Sequence, residues 1–584
     1  MRIPEKDIER VGKRTRIYVD GKSIPAYSGE SIGSAMLADG HFVMRHTRSG
    51  ATRGMFCGMG VCFGCSVRVN GVENICACRR QVRTADIIET GRDPGRISDD
   101  ILKVTEVGSL PVRDSSLQEP DIAVVGGGPA GICAALTASR AGADVVLLDE
   151  GQQLGGQFYK QPCKSFQFSP GQLPDKRYLN GRRLISEVLR GRVRVLENAV
   201  VWGAFQPKEI VASVGDASLS LNPKKLIIAT GAFERVVPMP GWTLPGVMTT
   251  GALQILLRSY RVVPGKRVII AGNGPLNFQV AAELLRAQVQ VIALIEASRP
   301  NRVRALPALF TTICKGPDLV RDGLGYLFKL ASAKVPILYG HAIVAIEGDN
   351  RVQNVRVARL DDRGFPMDNT IKSIGADVVG ISNGFWSANE ISRALGIHHL
   401  ADEKTPSILP IRNEDLETNI PGVYVVGDAA APWGARASLA EGFIAGANAA
   451  QKLGLKLPKT ILVELSYNRR RLAIFRQFQQ ALRTIYQTPE LLLQFCDADT
   501  IICRCEEVTY GKIRNLAEQG FTIGNIKRQT RAGMGRCQGR YCSYLIQRIL
   551  SDIQGTEIDE MSGWALRLPV KPVPISNILK EAGN

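Results

Sequence analysis

The chain has 584 residues, 73 Lys and Arg against 55 Asp and Glu, a net charge of +18, and 45% hydrophobic and 22% charged residues. That length predicts several domains, the composition is that of an ordinary soluble globular protein, and no apolar run reaches the roughly 18 uncharged residues of a membrane span. The excess charge could steer an acidic partner or bring the chain to an anionic membrane surface; no basic stretch carries stacking aromatics in a nucleic-acid motif, so no nucleic-acid partner is expected.

Residues 1–105 contain short strands such as RIYVDGKSIPAYSG and CSVRVNGVE, split by turn residues, and predict a small β-rich ferredoxin-like domain. Within it GMFCGMGVCFGC places Cys57, Cys62 and Cys65 as C-x4-C-x2-C, the spacing of plant-type [2Fe–2S] loops. Such a cluster needs four thiolates, and Gly58, Gly60 and Gly64 let backbone N–H groups approach its sulfurs. A structural zinc ion also takes four thiolates, but zinc sites usually pair two short C-x2-C elements. Cys76 or Cys78 closes the quartet. They lie two apart on a predicted strand and share a face, so the spacing leaves open which one ligates.

A polar linker is expected at 106–119. Residues 121–150 then read DIAVVGGGPAGICAALTASRAGADVVLLDE: a strand, Gly126, Gly128 and Gly131 as G-x-G-x-x-G, a helix, and a second strand ending at Asp149 and Glu150. This is a complete βαβ dinucleotide fingerprint, with an acid for a ribose hydroxyl and a helix N-terminus for a pyrophosphate. LIIATG brings Thr230 and Gly231 to the end of another strand, and TNIPGVYVVGD ends on Gly427 and Asp428. These later stretches favour FAD over NAD. Asp428 could equally cap the helix that follows. The domain is expected to be discontinuous, 120–240 plus 375–455. A second nucleotide domain, 241–374, is inserted. There RVIIAGNG retains Gly272 and Gly274, Asn277 replaces the third glycine, and Glu296 ends the next strand, suiting NAD over NADP. The altered fingerprint leaves occupancy of this second site open.

Residues 456–495 predict a helical connector, 496–555 a small C-terminal module, and the proline-rich tail 556–584 an extended segment. The module carries a second quartet, Cys503 and Cys505 in CRC, then Cys537 and Cys542 in CQGRYC. The surrounding Arg and Gly would stabilise a second [2Fe–2S] cluster, with zinc the alternative. No signal peptide precedes the chain, so a reducing, cytoplasmic location is expected and disulfides are not. No cysteine pair stands near the flavin segments, which argues against a disulfide reductase. His398–His399 lies in a polar stretch and reads as surface. No catalytic base or nucleophile declares itself.

The segments GMFCGMGVCFGC, VVGGGPAGICAAL, AGNGPLNFQVA and RAGMGRCQGRYC together resemble the flavin/iron–sulfur subunits of heteromeric amino-acid dehydrogenases, the family of hydrogen cyanide synthase, opine oxidases, D-hydroxyproline dehydrogenase and the α subunit of heterotetrameric sarcosine oxidase. The resemblance spans nearly the whole chain. It implies an α/β multidomain fold, a two-dinucleotide-binding-domain flavoprotein flanked by an N-terminal β-grasp ferredoxin-like domain and a C-terminal [2Fe–2S] module. The ferredoxin-like part, a separate subunit in some relatives, is here fused. It also implies that Asp428 reaches the FAD ribityl chain and that Cys78, in an Ala-Cys dipeptide, is the fourth ligand. A partner β subunit with its own FAD would oxidise the amine, FMN often sits at the subunit interface, and a quinone-like acceptor would take the electrons. In some relatives NAD or ATP occupies the first nucleotide site. The long folate-binding region of sarcosine oxidase α is missing, which argues against that member. The implied function is electron transfer in amino-acid or opine oxidation, with peripheral contact at the inner face of the cytoplasmic membrane as a further expectation. A self-contained NADH-dependent acceptor reductase is the alternative, favoured by Glu296 and the retained Gly272 and Gly274.

Overall fold

The computed structural model describes residues 1–3, 8–91, 119–168, 175–205, 207–215, 217–299, 305–402, 407–489, 491–560 and 562–579. The linker expected at 106–119 lies, but for its last residue, outside them. The N-terminal segment forms a mixed five-stranded sheet in the order Lys22–Tyr27, Arg14–Val19, Ile87–Glu89, Ser66–Val69, Val72–Cys76, with the helix Ile32–Ala38 beside it. Ser31 caps that helix, its hydroxyl accepting from Ser34 N. The cysteine loop leaves this sheet on the side facing the rest of the chain, where Thr249 N donates to Phe56 O (2.9 Å).

The first nucleotide fold is a five-stranded parallel sheet ordered Val193–Leu196, Val145–Leu148, Ile122–Val125, Lys225–Ile228, Val423–Val425. Its central strand IAVV is buried at every position, as a parallel strand covered on both faces requires. The helix Pro129–Arg140 crosses one face and is itself covered by Ala435–Gln451. Gly442 and Gly446 make that approach possible: a Cβ there would stand 2.1 Å from Ala130 O and 2.5 Å from Ala134 O.

A second parallel sheet runs Val247–Thr249, Val378–Ser382, Arg267–Gly272, Gln290–Glu296, Ile337–Tyr339. Val378–Ser382 lies inside it, so the boundary between the nucleotide folds falls after this strand and not at 375. A short apolar run such as VVGIS reads alike in either sheet; pairing with Arg267–Gly272 decides its place. The short strands Ala232–Glu234 and Phe385–Ser387 pair antiparallel where the chain crosses between the folds.

The connector is one helix, Lys459–Ile485. The C-terminal segment forms the ribbon Ile501–Cys503/Val508–Thr509 and the helices Tyr510–Glu518, Ile523–Thr530 and Ser543–Gln554. It packs back on the N-terminal half. Trp242 Nε1 donates to Ile501 O (2.7 Å), and Phe56, Trp242 and Tyr541 share one core. Beyond it, Val570 is buried and its N–H donates to Trp202 O (2.8 Å).

Candidate functional site

The first quartet is gathered by its loop. Val61 N and Cys62 N donate to Cys57 Sγ (3.4 and 3.3 Å), and Gly64 N to Cys62 Sγ (3.3 Å). Gly58 and Gly60 adopt φ of +65° and +78°, which turns those amides toward sulfur. Cys78 N donates to Cys65 Sγ (3.4 Å). The strand expected to carry both late cysteines ends at Cys76, and Cys78 sits in the turn beyond it. A turn therefore brings both sulfurs to Cys65: those of Cys65, Cys76 and Cys78 lie within 4.8 Å of one another. Cys78 is buried and Cys76 half-buried.

The second quartet is assembled from two segments. Cys505 and Cys537 form one thiol pair, Cys503 and Cys542 the other. A hydrogen bond with Cys537 lowers the Cys505 thiol to about 6, while hydrogen bonding with Cys503, then burial, raises Cys542. Two thiol pairs in each quartet suit a two-iron rhomb, one pair per iron. Buried donors without partners stand around them, among them Nε and Nη1 of Arg504, Oη of Tyr541 and Nε1 of Trp564. Cluster sulfides and thiolates are acceptors of the kind these donors lack.

The quartets, at opposite ends of the sequence, are neighbours. Phe56 meets Tyr541 edge to face, and the Arg504 guanidinium lies 4.1 Å from the Phe56 ring centroid.

A cavity of about 1650 Å³ runs beside them, reaching Cys57 and Cys78 at one side and both glycine loops. At the first loop, a Cβ on Gly131 would stand 1.7 Å from Gly126 O, whereas Gly128 faces open space with Gly156 Cα 3.9 Å away. Gly131 thus serves packing, and Gly128 leaves room for a pyrophosphate at the uncapped start of Pro129–Arg140. Asp149 accepts from Gly127 N and Gly151 N, and burial pushes its carboxyl up to about 6. Glu150 pairs with Arg79 (3.4 Å) and Lys571. Burial opposes its ionisation, but Lys571 and Arg79 outweigh this and hold it at about 2. Thr230 Oγ1 donates to Ala388 O (2.6 Å), and Gly231, at φ +75°, lines the cavity. Gly427 N donates to Glu441 (2.9 Å), which Arg412 and Arg476 neutralise. Asp428 accepts from Gly434 N (3.1 Å), and burial raises it to about 6. Its carboxyl both holds the start of the next helix and faces the cavity.

The second loop is differently used. Gly272, at φ +133°, has no room for a Cβ, which would stand 1.9 Å from Ser382 O. Gly274 N, Asn273 Nδ2 and Ser298 N all donate to Glu296 (3.1, 3.1 and 2.9 Å). Burial lifts the Glu296 carboxyl to about 7. Asn277 is fully buried, donating to Ser382 O (3.1 Å) and accepting from Thr250 Oγ1 (2.9 Å). Where a glycine would allow bare helix–strand contact, an amide here fills and fastens the gap. Tyr486 O, just past the long helix, also accepts from Asn273 (3.0 Å).

Several residues here carry no sequence motif. Lys160 is buried in the cavity wall, its ammonium donating to Gln157 O (2.7 Å) and Gln254 Oε1 (2.9 Å), and burial lowers it to about 7. The pair Gly155-Gly156 before it was the available signal: both have positive φ and pack Gly156 against Gly128. Arg79, Lys571, Arg504 and Tyr541 act through tertiary contacts alone. His399 is buried, contrary to the surface reading, because the polar sequence hides a pocket formed by Ser392 Oγ (3.0 Å) and Ile397 O (2.6 Å). The helices Leu306–Lys315 and Pro317–Ser332 border the cavity through Leu309, Thr312 and Leu327. They expose Leu306, Phe310, Leu324 and Phe328, each by 60% or more. Among the described residues no helix is long and apolar enough to cross a membrane.

Comparison with known proteins agrees with this geometry. Residues 120–454 match the pyridine nucleotide-disulphide oxidoreductase family, 12–93 a 2Fe-2S iron-sulfur cluster binding domain, and 501–552 the BFD-like [2Fe-2S] binding domain. The chain is 32% identical over 465 residues to hydrogen cyanide synthase subunit HcnB of Pseudomonas aeruginosa, covering 78% of this chain and 97% of that one. It is 30% identical over 478 residues to an opine oxidase subunit from Agrobacterium tumefaciens, covering 78% and 91%. In fold it is similar to L-proline dehydrogenase from P. horikoshii, with a TM-score of 0.68 at 21% identity over 97% of each chain. Two thiolate quartets with unpartnered donors around them, and a glycine loop with room for a pyrophosphate, fit two [2Fe–2S] clusters and FAD. The chain therefore belongs to the pyridine nucleotide-disulphide oxidoreductase family and, within it, to the flavin/iron–sulfur oxidoreductase subunits that include those of opine oxidase and hydrogen cyanide synthase.

Proposed function

We propose that the chain is the electron-relaying subunit of a heteromeric amino-acid or opine dehydrogenase. A partner flavoprotein subunit oxidises the CH–NH bond, and this chain delivers the electrons to an acceptor such as a quinone. One observation carries the reading: a single cavity joins the first nucleotide loop to Cys57 and Cys78, and the first quartet in turn touches the second through Phe56 and Tyr541. The ligands assigned are Cys57, Cys62, Cys65 and Cys78 for one cluster, and Cys503, Cys505, Cys537 and Cys542 for the other. FAD, when bound, supplies the exchange between two-electron and one-electron chemistry. Gly128 and the start of Pro129–Arg140 hold its pyrophosphate, Glu150 meets its ribose, and Asp428 its ribityl chain. NAD or ATP is the alternative occupant, and FMN at a subunit interface belongs to the same reading. The apolar face around Phe310 and Phe328, at the cavity rim, offers the partner subunit its contact.

The acceptor-reductase reading asks the second loop to bind NADH. Glu296 already spends both carboxylate oxygens on Asn273, Gly274 and Ser298, and Asn277 fastens the loop from behind. These bonds favour a loop that is architectural. The test is turnover with a quinone-like dye. The chain alone should oxidise neither opines, hydroxyproline, proline nor glycine, and NADH slowly at most. Adding an FAD-containing subunit of the amino-acid oxidase type should start dye reduction with one of those amines. Fast NADH-to-dye turnover by the chain alone, with no gain from the added subunit, would overturn the proposal.

A further inference from the structure

Arg504 stands between Cys503 and Cys505 in sequence, and Tyr541 directly precedes Cys542, so the backbone of both belongs to the second quartet. Their side chains point elsewhere. The Arg504 guanidinium lies 4.1 Å from the ring of Phe56, the residue before Cys57, and 5.6 Å from the ring of Trp242. Among ionisable groups Cys62, of the first quartet, acts on it most strongly. Tyr541 packs edge to face on Phe56 at 5.6 Å, and Cys57 and Cys62 are the ionisable groups that act on it most strongly.

Both side chains are more than nine-tenths buried, at 6% and 3% exposure. Arg504 Nε and Nη1 and Tyr541 Oη have no hydrogen-bond partner, and Arg504 Nη2 has only a long contact to Thr243 O (3.5 Å). Leaving a buried donor unpaired forfeits its hydration with nothing in return, and an uncompensated interior cation is costlier still. Arg45 and Arg53 add to the positive charge here, with Glu507 paired to Arg53 at 3.2 Å. The missing counter-charge and acceptors are what a thiolate-bound cluster supplies at Cys57 and Cys62.

We infer that Arg504 and Tyr541 are positioning residues which, though carried by the second cluster motif, direct their donors at the first cluster and raise its reduction potential. Donors and a cation beside cluster sulfurs stabilise the more negative, reduced form. No atoms move and no bond changes: each cluster gains or loses one electron, and the inference concerns which of the two holds it. It rests on the two-cluster reading above.

The experiment is an EPR-monitored potentiometric titration of the full-length holoprotein, with dithionite as reductant and iron measured on each sample. Cys62→Ser identifies the first cluster by the signal it removes. Arg504→Met should make reduction of that cluster at least tenfold less favourable, about 59 mV for one electron, with iron retained. Arg504→Lys should recover part of the shift. Tyr541→Phe, which deletes a single oxygen, should shift it in the same direction by less. An unchanged first-cluster midpoint in Arg504→Met with iron intact, or a shift confined to the second cluster, would overturn the inference. Should Arg504→Met lose iron, Tyr541→Phe decides alone, and an unchanged midpoint there rejects it. Zinc, or two iron per chain in the unaltered protein, would instead reject the two-cluster reading.

Discussion

Phe56 and Tyr541 meet with ring centroids 5.6 Å apart and planes at 74°, and each immediately precedes a cysteine, Cys57 and Cys542. An edge-to-face pair of this kind is worth about 0.5–1.5 kcal/mol beyond its buried area. Its larger consequence is positional: it locks the two cysteine sites of one chain side by side, with Arg504 over the same Phe56 ring.

Two separate clusters should therefore be countable. Iron analysis is expected to give about four iron per chain, and dithionite-reduced samples should show two EPR signals. Cys62→Ser should delete one and Cys537→Ser the other. Zinc in place of half the iron would sink the second assignment.

Cys78, buried and lining the cavity, should prove indispensable to the first cluster, while Cys76 should not. Cys78→Ser is expected to lose the first signal and Cys76→Ser to keep it. Since both sulfurs are within reach of Cys65, the reverse outcome would assign Cys76 as ligand.

Gly131 and Gly128 should fail in different ways. A methyl group on Gly131 meets Gly126 O at 1.7 Å, so Gly131→Ala is expected to cost stability at or beyond the upper end of the ~1–3 kcal/mol typical of overpacking. Gly128→Val projects into open cavity, should match the melting temperature of unaltered protein once both are stripped of FAD, and should release far less FAD on acid extraction. A similar FAD yield from Gly128→Val and unaltered protein would place the dinucleotide elsewhere.

Restoring the third glycine of the second loop should harm the protein. Asn277→Gly strips Thr250 Oγ1 of its acceptor, takes from Ser382 O one of its two donors (Asn273 N remains) and opens a void, a loss of about 2 kcal/mol or more. Calorimetry should show a lower melting temperature, and NADH oxidation should not improve. A variant that is stable and oxidises NADH rapidly would revive the acceptor-reductase reading.

Glu296 should leave a mark on the pH dependence of stability. Its carboxyl titrates near 4.5 when unfolded and about 7 when folded, because burial disfavours the charge. Between those values the folded chain holds a proton that the unfolded chain has released. Stability is therefore lost as pH rises from about 4.5 to 7 and levels off above. Glu296→Gln removes this loss, so its melting temperature relative to the unaltered protein should climb across that window. A pH-independent difference would mean that Glu296 is ionised throughout.

What could be read without coordinates was what short stretches encode. C-x4-C-x2-C, the CRC and CQGRYC pairs, and Gly126, Gly128 and Gly131 lie on single loops, where spacing and the missing Cβ dictate the local geometry. The same spacing could not say how carboxylates are spent. Asp149 and Glu296 stand where a ribose ligand is expected, and the sequence could not say that both also fasten loop amides, because a buried acid takes the nearest N–H donors. Nor could it place Val378–Ser382 in its sheet, since an apolar strand is defined by the neighbour that pairs with it. The joining of the quartets through Phe56, Arg504 and Tyr541 was least legible of all. It comes from packing the chain's two ends into one core, a long-range contact that no local periodicity records.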